Sequence, residues 1–69
     1  MGYFQGDLDR ATRRVNKCEA RVQEQRALME RLPKNSYEYL LAEAMLVTML
    51  RALAQRVRAR DSIQADLRR

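Results

Sequence analysis

The sequence predicts an all-α protein, an antiparallel two-helix hairpin of coiled-coil type that pairs with a second copy to make a four-helix bundle. Three observations carry this. A heptad-spaced apolar seam runs through the first half of the chain, a single proline interrupts it, and an apolar arc too wide for one neighbour follows in the second half.

Helix 1 is expected over about residues 7–32. Asp7 stands where an N-cap belongs, and Leu8, Ala11, Val15, Cys18, Val22, Gln25, Met29 and Leu32 then recur at alternating spacings of three and four. That spacing draws one stripe along the helix and leaves Arg10, Arg13, Lys17, Glu24 and Arg31 off it. Pro33 ends the run, since it lacks a backbone donor and forces the residue before it out of helical geometry.

Helix 2 is expected over about residues 36–67, with Asn35 and Glu38 as a capping box and no later proline or glycine to stop it. The link between the helices is short enough to make them antiparallel neighbours. Tyr39, Leu41, Ala42, Met45, Leu46, Met49, Leu50, Ala52, Leu53 and Val57 fill roughly half of the helix circumference. Arg51, Thr48, Gln55 and Tyr37 are left towards water.

One partner helix cannot cover such an arc. Leu41, Met45, Leu46, Met49, Leu50 and Leu53 are therefore the candidate self-association or partner interface. A second hairpin is the first occupant to consider. A groove for another protein's amphipathic helix, with Met45 and Met49 as adaptable contacts, is the second.

The size of the chain supports self-association. At 69 residues there is room for one domain, with little surface to bury, and one cysteine with no histidine removes disulfides and most metal sites as reinforcement. Apolar residues at 46%, charged residues at 33%, two glycines and one proline exclude a disordered tail and a β-sandwich. Residues 7–69 form the single helical-hairpin domain. Residues 1–6 are set apart as a flexible N-terminal segment, because Tyr3-Phe4-Gln5-Gly6 matches the end of a common protease-tag site.

No basic start leads into an apolar secretion signal. The longest nearly uncharged stretch, residues 39–50, contains Glu43 and is too short to span a bilayer, so a cytoplasmic protein without a membrane span is expected.

Charge is unevenly placed within the net +5: residues 1–21 carry +2, residues 51–69 carry +4 and residues 22–50 carry −1. An antiparallel hairpin gathers the two basic segments at its open end. Nucleic-acid binding by that pole is the alternative function, with Arg10, Arg14, Arg56, Arg58, Arg60 and Arg68 as candidate contacts. No aromatic residue is interleaved with the arginines of residues 51–69, and a solvated charged face needs no function at all.

Cys18 falls on the seam as a small buried hydrophobe. Gln25, also on the seam, is placed by the turn near Glu43, where it would make a polar layer that fixes register. Without histidine, a glycine-rich phosphate loop or a cluster at ligand spacing, neither catalysis nor a cofactor is expected, and no small-molecule substrate is evident. The expected role is that of a small non-catalytic interaction protein that self-associates through helix 2 and serves as an adaptor or regulator of a protein partner.

The run Asp7-Leu8, Ala11, Arg13, Val15, Glu19, Arg21-Val22, Gln25-Arg26 and Leu32, then Ala42, Leu46, Leu53, Arg60-Asp61 and Ile63, resembles the short uncharacterised helical proteins of rhizobia and related alphaproteobacteria. The resemblance extends over nearly the whole chain from Asp7 and implies a bacterial helical hairpin, with no activity attached. This chain has Arg14, Arg56 and Ala59 where that family has histidines, so no metal or pH-sensing role comes with the resemblance.

Overall fold

The computed structural model describes residues 2–69; Met1, the first residue of the segment set apart above, lies outside them. Two helices make up the fold, α1 at Gln5–Arg31 and α2 at Tyr37–Leu67, of 27 and 31 residues. They pack side by side in a rod whose Cα atoms extend 50 × 14 × 12 Å. Two hydrogen bonds mark the antiparallel course: Gln25 reaches Ala42 near the loop, and the Tyr3 backbone N–H donates to Asp66 Oδ2 at 3.2 Å where the chain ends meet.

Helix α1 begins two residues earlier than the sequence suggests, and Asp7 is not its N-cap. Phe4 is the extended residue at that position, and Asp7 sits inside the first turn. Its carboxylate accepts the Phe4 N–H at 2.9 Å, while its own N–H donates to the Phe4 carbonyl at 2.9 Å. A carboxylate reaching back in this way satisfies a donor that the helix leaves unpaired, and its charge suits the positive end of the helix. At the other end Leu32 turns its N–H to the Met29 carbonyl at 3.2 Å, and Pro33 prevents continuation.

The entry to α2 also differs by one residue. Ser36, rather than Asn35, is the N-cap: its hydroxyl accepts from Tyr39 N–H at 3.1 Å and donates to the Pro33 carbonyl at 2.7 Å. Glu38 therefore falls one position short of the place a capping box requires, which Tyr39 holds.

All eight seam residues of α1 are buried or half-buried, with Val15, Val22 and Gln25 the deepest. On α2 the matching line is Tyr39, Ala42, Leu46, Met49, Leu53, Val57, Ile63 and Leu67, of which only Ala42 is buried. Gln25 does not meet Glu43, which is exposed; its Nε2 donates to the Ala42 carbonyl at 2.8 Å. Alanine permits this. With a small side chain at that point, α1 comes close enough for a glutamine to bond the α2 backbone, and no buried side-chain polar atom among the described residues lacks a partner. At the open end Tyr3 stands with Ala11, Ala59 and Ile63 around a shallow cavity, whereas Phe4 is 78% exposed.

Candidate functional site

The fold leaves two unlike surfaces, one at each end of the rod. At the loop end, α2 exposes Tyr37, Leu40, Leu41, Met45, Val47 and Leu50, and α1 adds Leu28. The residues proposed as an interface divide into two sets. Leu41, Met45 and Leu50 are open, but Leu46, Met49 and Leu53 are half-buried on the line that faces α1. Helical rotation accounts for the division: Leu46, Met49 and Leu53 fall within about 40° of Ala42, while Met45 and Leu41 lie roughly 60–100° to one side and Leu50 about 80° to the other. Leu40 and Val47 continue the apolar surface onto the back of α2.

The open end is cationic, and ion pairing sorts its charges. Arg10 pairs with Asp7, Arg60 with Asp61 at 3.2 Å, and Arg69 approaches Asp66 at 3.8 Å. Arg60 is also half-buried, its stem lying along the seam as long basic side chains do. Arg10 and Arg60 are thus partly neutralised within the chain. Arg58 and Arg68 are exposed singly, Arg58 on the back of α2 and Arg68 at its C-terminal cap.

Arg14 and Arg56 do come together. They meet across the two helices and line one cleft with Lys17, Arg21 and the half-buried Cys18. No carboxylate lines this cleft, and none of its four cations forms an ion pair among the described residues. Lys17 and Arg21 are not among the nucleic-acid contacts expected from the sequence. Their signal was present: Arg14, Lys17 and Arg21 follow one another at spacings of three and four, which places them in a line beside the seam.

The Asp7 carboxyl is held below its ordinary value of 3.8 chiefly by the hydrogen bond from the Phe4 N–H, which outweighs the opposing effect of burial, and the Arg10 guanidinium lowers it further. Among the described residues no group of three His, Cys, Asp or Glu side chains converges as metal ligands would. No helix of the described residues is long and apolar enough to cross a membrane. Compared with family models, curated proteins and solved structures, the chain matches none of them.

Proposed function

We propose that this hairpin is a non-catalytic interaction protein of the bacterial cytoplasm whose first partner is a second copy of itself, the two forming a four-helix bundle. The observation that supports this is the exposure of Leu40, Leu41, Met45, Val47 and Leu50 along one stretch of α2, beside a core in which Val15, Val22 and Ala42 alone among the described residues are buried and apolar. A core of that size leaves a small domain marginal, and each half-exposed Leu or Met gains roughly 1 kcal/mol when covered.

Charge argues for a second copy and for one way of placing it. The loop half, residues 22–50, is near neutral at −1, so two loop halves can overlap without repulsion while the cationic halves point away from each other. Sedimentation equilibrium over a wide concentration range, at low and high salt, tests this. A dimer that persists at high salt is the expected result, because apolar burial is not screened. A chain that stays monomeric and folded throughout would overturn the reading and leave the surface to a different protein.

A further inference from the structure

We infer that the cleft formed by Arg14, Lys17 and Arg21 of α1 with Arg56 of α2 binds the phosphodiester backbone of a nucleic-acid duplex. The inference rests on the hairpin alone and does not require self-association. Unlike charges spread over a solvated face, these four converge from both helices on a single concavity, with no acidic residue lining it. Of the acidic residues at the cleft and towards the open end, Asp7, Asp61 and Asp66 are engaged by Arg10, Arg60 and Arg69, Asp9 accepts a hydrogen bond from Gln5, and Glu19 lines a different hollow with Val22, Arg26 and Leu50. The cleft therefore keeps its charge.

Spacing suits a polymer of phosphates. From Arg14 to Arg21 the helix rises about 10.5 Å, a length over which one strand of a duplex presents about three phosphates. Arg14, Lys17 and Arg21 supply one cation each along that line, and Arg56 adds a fourth from the opposite wall. A duplex is favoured over a single strand because no aromatic residue lines the cleft to stack on unpaired bases.

An anionic membrane is disfavoured by the way the molecule is divided. Helices that lie on membranes carry cations and bulky apolar residues side by side along the same length, so that one set attracts while the other inserts. Here the exposed large apolar residues of the helices lie between Leu28 and Leu50, towards the loop, and the cleft lies beside their open-end limit near the middle of the rod, while Tyr3 and Phe4, the exposed aromatics ahead of α1, stand at the far end and do not line it.

The test is fluorescence anisotropy of labelled duplexes of about two helical turns, one DNA and one RNA, titrated with the full chain at several salt concentrations. For each cleft engaged, log K should fall against log salt with a slope of about −3.6, equivalent to a loss of roughly a hundredfold in affinity between 50 and 200 mM salt. Arg14→Gln, Lys17→Gln, Arg21→Gln and Arg56→Gln should each make the slope shallower by about 0.9, and Arg14→Lys should restore it. Arg51→Gln and Arg58→Gln, outside the cleft, should leave it unchanged. Circular dichroism of every variant checks that the helices are intact. Binding to either duplex with these slopes supports the site. Absence of duplex binding at 50 mM salt, slopes equally sensitive to Arg51 and Arg58, or tighter binding to phosphatidylserine vesicles or polyglutamate than to both duplexes would overturn it.

Discussion

At the scale of single residues, two of the polar side chains that engage the backbone, Asp7 and Gln25, make opposite kinds of contribution. Asp7 works through charge. Its folded-state pKa lies below the ordinary value, so the stabilisation it provides is fully present above about pH 4 and is lost as pH falls through the folded value. Asp7→Asn should remove that portion of the acid sensitivity, read as helix signal against pH; an unchanged acid limb would mean that the Phe4 contact does not stabilise the fold. Gln25 works through geometry: buried at 7% exposure, it bonds a carbonyl that already belongs to the α2 ladder. Gln25→Ala should cost about 1–3 kcal/mol, combining the lost hydrogen bond with the space left behind. Gln25→Met fills that space and should lie much nearer the parent. Urea midpoints at fixed protein concentration distinguish the two, and equal midpoints for Ala and the parent would show that Gln25 contributes nothing.

At the scale of the helices, the sequence was informative where periodicity speaks and ambiguous where caps are chosen. The inward line of α1 could be read residue by residue, because a heptad repeat has only one solution and Pro33 closes it. The helix starts were harder to place. Asp is favoured both as an N-cap and within the first turn, so the preference alone cannot separate the two places, and the chain uses the second. Asn35 and Ser36 are adjacent residues of similar capping strength, and the serine is the one whose hydroxyl can join Pro33 to Tyr39. Ser36→Ala should therefore cost about 1 kcal/mol and Asn35→Ala much less. For a chain of this size the serine change corresponds to a melting shift of roughly 4–8 °C. A larger effect at Asn35 than at Ser36 would return the cap to the asparagine.

At the scale of the whole molecule, what the sequence could not supply was the division of α2 into an inner and an outer face. Apolar residues occupy so much of its circumference that no polar boundary marks which third meets α1, and Glu43 interrupts only one flank. The same limit applied to the basic end: net charge located the pole, but only the pairing of Arg10, Arg60 and Arg69 with nearby aspartates separates engaged cations from the free ones around Cys18. This division makes folding and self-association separable. Leu53, half-buried against α1, belongs to the hairpin itself, so Leu53→Glu places a charge in the seam and should unfold the chain. Met45 is 54% exposed. Met45→Glu should leave the hairpin helical but place two like charges in or beside the interface between copies, shifting the protein to monomer in sedimentation while circular dichroism at low temperature stays near that of the parent. If Met45→Glu remains a dimer, the opposite flank, with Leu50 and Val47, becomes the surface to change next. Should Leu50→Glu and Val47→Glu also leave the dimer intact, the association does not run through α2. If Met45→Glu instead unfolds with Leu53→Glu, the hairpin has no stability of its own, and folding and pairing are a single event.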